Sequence, residues 1–323
     1  MFELMNEYAT SKLSDLYQVL IYHKDNELYN RIFQQYGYPG YMVNFKSVSK
    51  FLFALAVGCM IDDGGIRDAY VPVAELLPEY ASQMPVLLQR SLSLHHLLSM
   101  SSGFQWNDSG SVFFEWMRSK DWVSFALTRP IAGEPGERYC YNTSNIHLVS
   151  AIIRKKTGMP ALQYIKERLL VPLGIYQIGG QRSPEGNDFG GSELYFAPQD
   201  MAKIGRLILQ NGVWEKKRIL GLKWISICLK EHMRVDEEYG YGYCCFLTEM
   251  SISRYSHEKA AVWIVPGTGG QYMYLCPSLC LVVVIASVLQ PRDGRHPLCI
   301  PVARLMPDYI LYEVANEGRC IHV

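Results

Sequence analysis

Several signatures are missing from this chain of 323 residues, and each absence narrows what it is. No charge predominates: 31 basic residues face 31 acidic ones. A nucleic-acid partner needs a basic face, so none is expected. No apolar run is long enough for a membrane helix. The longest, 51–61 and 279–289, fall far short of the ~18–20 residues a span needs and read as core elements. The opening "MFELMNEYATSKLSDLYQ" has no basic start, no continuous apolar stretch and no small-residue cleavage site. The expectation is a cytoplasmic chain without a secretory signal. None of the nine cysteines forms a CxxC pair, and the eight histidines include His95–His96 but no HExxH. No metal site and no cofactor are expected, and the cysteines read as reduced, small hydrophobes. Cys244 and Cys245 are expected in a strand, pointing to opposite faces. Internal repeats and low-complexity tracts are also absent.

What is present is a packed composition, 49% apolar and 19% charged. The length exceeds what one compact core usually holds, so two lobes are expected. Residues 3–14 read as a helix, and 17–35 as two strands around a "KDN" turn. Residues 48–63 are apolar for too long to be one strand and stop at "DDGG", so a buried helix starts near Ser47. Helical pieces follow, including "SNIHLVSAIIRKKTG", which closes on basic residues and a glycine. After residue 238 the pattern turns strand-like, and 301–315 closes as a helix. Strands at both ends with helices between them give an α+β fold. The sheet lobe is placed at 1–68 and 238–323, the mainly helical lobe at 69–237, and the site at their interface.

The stretch "FKSVSKFLFALAVGCMIDDG" sets hydroxyls and amines at the mouth of an apolar helix. Ser47 and Lys50, three apart, share one helical face. The positive helix pole and burial both disfavour a charged amine, so Lys50 is tuned to take a proton from serine. The helix end also offers a backbone N–H to a developing oxyanion. Lys46 and Ser49 have the same separation in reverse order, with a lysine outside the helix, and are set aside. S-x-x-K alone is also what a capping serine and a snorkelling lysine produce.

A second stretch, "PGERYCYNTSNIHLVSAIIRKKTG", carries Tyr139, Tyr141, Asn142, Thr143 and Asn145 ahead of a helix. A tyrosine beside a cationic lysine can act as a base or proton shuttle. The plainer reading is packing tyrosines and turn asparagines. A third, "VPGTGGQYMYLCP", has glycines that let a strand edge approach a ligand, or simply make a tight turn.

These stretches, with "LSLHHLLSMSSGFQW" and "GGSELYFAPQDMAKIGRLILQNG" in this order, resemble serine β-lactamase-related hydrolases over roughly residues 17–315. That group holds class C β-lactamases, D-Ala-D-Ala carboxypeptidases and related esterases and amidases. The resemblance implies a β-lactamase/DD-peptidase-like fold, with Ser47 as the acylated nucleophile and Lys50 as its partner. Tyr141 matches the tyrosine of the family's Tyr-x-Asn motif, and either Lys50 or Tyr141 accepts the proton. The oxyanion hole falls to the backbone N–H groups of Ser47 and Gln271. Asn142, Thr143, Asn145, Thr268, Gly269 and Gly270 fall to substrate binding.

Two positions depart from the family pattern. Thr143 stands where the motif has asparagine, and Asn142 or Asn145 is left to supply the amide. Thr268 stands where the third motif usually has lysine or histidine. Its lack of charge removes a contact to a substrate carboxylate typically worth about 1.5–3 kcal/mol. A neutral small-molecule ester or amide is therefore expected ahead of a β-lactam or a D-peptide. The alternative from another class is a β-lactamase-like fold that binds without turnover.

Overall fold

The computed structural model describes residues 1–34, 37–253, 256–288 and 301–317. The end of the expected 279–289 core run, the end of the first hairpin at 35 and the last residues of the expected sheet lobe lie outside these. Among the described residues the longest helices are α1 (Glu3–Lys12), α2 (Ser49–Asp62), α3 (Thr143–Thr157) and α4 (Pro198–Leu209). The strands include β1 (Leu16–His23), β2 (Asn26–Ile32), β3 (Val43–Asn44), β4 (Tyr195–Phe196), β5 (Phe246–Ser251), β6 (Lys259–Gly267), β7 (Gln271–Cys276) and β8 (Leu281–Ser287). The fold is α+β.

The chain divides into two compact units. The first comprises 1–48, 195–210 and 246–323, and the second 49–194 and 211–245. Sequence placed the divisions at 68/69 and 237/238. Two packing facts draw the observed boundaries. Helix α2 buries its sides among the helices of the second unit, and α4 lies on strands of the first.

In the first unit six strands form an antiparallel sheet in the order β2-β1-β8-β7-β6-β5. Strand β8 is buried along its whole length, so it reads as a continuous apolar run rather than an alternating one. At the edge, β2 is largely exposed and carries Asn26, Glu27, Asn30 and Arg31, polar groups that discourage edge-to-edge pairing. Lys24 and Asp25 join β1 to β2 with φ of 49° and 65°, the left-handed pair that a two-residue hairpin turn uses. Helix α4 approaches the sheet at Gly205, where a Cβ would lie 2.6 Å from Val282 Cγ1. On the far side of β7, Cys280 closes the turn into β8 in a left-handed conformation, φ 48°, with its thiol exposed.

In the second unit α2 is buried on every side from Ser49 to Met60, as a helix apolar all round must be. Trp224 locks against it: its indole N–H donates to the Ala54 carbonyl at 2.9 Å, and a Cβ at Gly58 would overlap its ring. Helix α3 starts on Asn142, whose side chain accepts from the Ser144 N–H at 2.9 Å, and stops on Gly158 at φ 74°. Beside it Trp106, Trp116, Trp122 and Phe189 form an aromatic core. His147 of α3 reaches into this core and meets Glu185 at 2.9 Å. Burial alone would raise the Glu185 pKa, but His147 and the surrounding N–H donors bring it down to about 2.

One expectation is corrected. Cys244 and Cys245 do not lie in a strand. Residues 242–245 form a turn, with Cys244 left-handed at φ 57°, and both thiols are buried. The backbone N–H groups of Tyr243 and Cys244 donate to the carbonyls of Cys228 and Leu98, which draw this segment out of the ladder before β5 begins.

Candidate active site

Ser47 sits in a 3-10 turn, Lys46–Val48, that runs directly into α2. The turn is launched by Lys46, which is left-handed at φ 49° and donates its N–H to Asn44 Oδ1 at 3.0 Å. Ser47 is half-buried, whereas Ser49 is wholly buried and its hydroxyl has no partner among the described residues. Burial thus separates the two serines that spacing alone leaves equivalent.

Within the first unit this turn lies against the end of β6. A Cβ on Gly267 would come within 2.5 Å of the Phe45 carbonyl and 3.2 Å of Val48 Cγ2. Gly267 pairs in register with Gln271 across a turn made by Thr268, Gly269 and Gly270, the glycines at φ 84° and 86°. Only glycine takes those angles without strain. The Gln271 carboxamide points inward and is committed to Ser287: Nε2 donates to its carbonyl at 2.7 Å, and its N–H donates back to Oε1 at 3.1 Å. Both ends of that carboxamide are thereby occupied. Thr268 and Gly269 are half-buried and Gly270 is buried.

Within the second unit Lys50 is 1% exposed. Its ammonium donates to the Gly191 carbonyl at 2.5 Å and lies 5.0 Å from the centroid of the Tyr141 ring. Lysine and tyrosine are therefore neighbours. Tyr139 packs instead against Tyr241, with ring centroids 4.9 Å apart, and burial raises its pKa well above the usual tyrosine value. Asn142 caps α3, Thr143 occupies the first helical position, and Asn145 lies one turn in; all three are buried. Thr143 donates its backbone N–H to Asp108 Oδ1 at 3.0 Å and its hydroxyl to the other oxygen of the same carboxylate. Asn142 Nδ2 and Asn145 Oδ1 have no partner among the described residues. Sequence reasoning missed Asp108 and the role of Gly190–Gly191. The paired glycines before "SELYF" were the available signal.

His95, His96 and His232 also cluster here. His95 Nδ1 meets the Tyr243 hydroxyl at 2.8 Å, and the His95 and His232 rings are 5.1 Å apart. Among the described residues no group of three or more His, Cys, Asp or Glu is arranged to hold a metal ion. No described helix is long and apolar enough to cross a membrane.

The model of the Beta-lactamase family matches residues 18–305. The chain belongs to that family, a group of serine hydrolase-type enzymes whose fold also carries acyltransferases. The 6-aminohexanoate-dimer hydrolase of Paenarthrobacter ureafaciens is 27% identical over 273 residues, which are 77% of this chain and 67% of that protein. Among solved structures, an octameric penicillin-binding protein homologue from Pyrococcus abyssi is 20% identical with a TM-score of 0.69, over 94% of this chain and 75% of that one. Simvastatin synthase (LovD) from Aspergillus terreus is 15% identical with a TM-score of 0.73, over 97% and 96%. At these identities the two structures establish a shared fold.

Proposed function

We propose that the protein hydrolyses a small, neutral ester or amide through an acyl-enzyme on Ser47. The observation that carries this reading is the setting of Lys50: an amine 1% exposed, held at 2.5 Å by the Gly191 carbonyl and set over the Tyr141 ring. A buried lysine is costly unless its amine has work to do. Ser47 Oγ attacks the carbonyl carbon as its proton passes to Lys50 or Tyr141. The carbonyl oxygen takes up the negative charge, stabilised by the backbone N–H groups of Ser47 and Gln271. Collapse expels the alcohol or amine, which leaves with the proton. Water then attacks the acyl-serine and releases the acid.

Thr268 sets the preference for substrates without a carboxylate, because it brings no positive charge to the third motif. The relative named 6-aminohexanoate-dimer hydrolase supports an amide as the bond cleaved, although such a dimer keeps a terminal carboxylate. The carboxamides of Asn142 and Asn145, each with one atom unpaired among the described residues, are the groups suited to a substrate amide. The proposal needs no metal and no cofactor. Treatment with a fluorophosphonate and separately with a penicillin, read by intact mass with Ser47→Ala as control, tests it. An adduct from the fluorophosphonate alone supports the esterase or amidase reading. Adducts from both revive a β-lactamase or D-peptidase. Absence of any Ser47-dependent adduct leaves the fold as a binding module and ends the catalytic proposal.

A further inference from the structure

Thr143 departs from the family motif, and its surroundings give the departure a purpose. Its hydroxyl and N–H both go to Asp108, which is held in turn by the Trp106 indole N–H at 2.5 Å. On the other side, its methyl group lies where a Cβ on Gly191 would be, so the two are in direct packing contact. Gly190 is equally tight against α3: a Cβ there would overlap the Ile146 carbonyl and lie 3.1 Å from His147 Cα. The neighbouring residues are pinned too. Phe189 is wedged in the tryptophan core, and Ser150 donates to the Asp188 carbonyl at 2.6 Å. The 188–191 segment is thus laid along α3, and its last carbonyl receives the Lys50 amine.

We propose that Asp108 and Thr143 are positioning residues for Lys50: the carboxylate fixes the threonine rotamer, the threonine methyl seats Gly191, and the Gly191 carbonyl aims the amine. This rests on the reading of Lys50 as the partner of Ser47. An asparagine at 143 would need to reach outward to a substrate. A β-branched threonine, stiff about χ1, instead divides its two branches between Asp108 and Gly191.

Thr143→Val tests this with little change of shape and no change of charge. It leaves a carboxylate oxygen of Asp108 unpaired and releases the rotamer. The rate of Ser47 labelling by a fluorophosphonate is expected to fall about ten- to hundredfold, the scale of a misplaced catalytic group. A carbonyl acceptor favours the charged amine, so its displacement moves the alkaline rise of the rate–pH profile to lower pH, by about half a unit or more. Thr143→Ser keeps the hydroxyl but lacks the methyl that seats Gly191, so it is expected to leave the rise displaced as well. That methyl is also what Gly191→Ala would strike, so the pair Thr143→Ser/Gly191→Ala is expected to label faster than Gly191→Ala alone. A second readout does not depend on Ser47: the pH titration of the Lys50 13Cε resonance in lysine-labelled protein, assigned with Lys50→Arg. Superimposable titrations in the wild type and Thr143→Val would overturn the positioning proposal whatever Ser47 does. Absence of Ser47 labelling in the wild type, with a displaced Lys50 titration in Thr143→Val, would overturn the catalytic reading and leave the clamp standing. A loss of melting temperature in Thr143→Val with both pH curves unmoved would reduce Thr143 to a structural residue.

Discussion

Ser47 and Lys50 stand three residues apart, yet the groups around them are built from different materials. Around Ser47 the work is done by backbone: a left-handed Lys46, a 3-10 turn, and a hairpin whose glycines let main chain approach main chain. Around Lys50 it is done by side chains and one carbonyl: Tyr141, Thr143, Asp108 and Gly191. The contrast follows from the chemistry each is assigned. Oxyanion donors must not move or titrate, and main-chain N–H groups satisfy both demands. A proton acceptor must titrate, so it has to be a side chain whose surroundings can be adjusted.

That contrast can be broken from either side. The largest effect is expected at Lys50. Lys50→Met is predicted to lower the rate of Ser47 labelling by about two to four orders of magnitude. Its melting temperature is predicted to hold or rise, because an apolar chain replaces a buried amine. A melt beside a labelling time course checks both, and a labelling rate within threefold of the wild type would remove Lys50 from the mechanism. Next comes Thr268→Lys, which adds a charge to the backbone-built side. Acylation by carboxylate-bearing β-lactams should rise about tenfold or more, measured by intact mass over time. No rise would mean that Thr268 does not set the preference for neutral substrates.

Gly267→Ala attacks the main chain itself. Its new methyl would press on the Phe45 carbonyl, at an expected cost of about 1–3 kcal/mol in urea unfolding, with a slower Ser47 reaction. The smallest effect is a pH dependence in the helical unit. Burial first, then the neighbouring His232 and His96, lower the His95 pKa from 6.5 to about 4. The folded chain keeps this imidazole neutral while the unfolded chain protonates it. Its contribution to stability is therefore complete above about pH 6.5 and is lost as the pH falls towards 4. Melting temperatures measured across that window should decline, and less steeply in His95→Phe.

The parts of the molecule legible in the sequence are those set by local pattern. The apolar run after Ser47 gave α2, the "KDN" turn gave the first hairpin, and Gly158 marked the end of α3. The order of the motifs revealed the family, because five weak signals in register are worth more than any one. What stayed hidden came from contacts between distant residues. Asp108 is 35 residues from Thr143, and Gly191 is 141 from Lys50; neither pairing leaves a local trace. The turn at 242–245 was hidden for another reason. A cysteine occupies the left-handed position, where glycine or asparagine would have marked it. Of the site itself, residue types were readable, and Ser47 was already preferred to Ser49 by the order of serine and lysine; the full burial of Ser49 adds a second ground.

The turn between β7 and β8 has a practical consequence. Cys280 is the exposed thiol among the described cysteines, and it holds a backbone angle that suits glycine better. Air oxidation there would join two chains through a disulfide, a species that reductant would reverse. Cys280→Gly removes the linkage and relaxes the main chain in one step. It would be a cleaner starting material for every thiol-sensitive measurement on this protein.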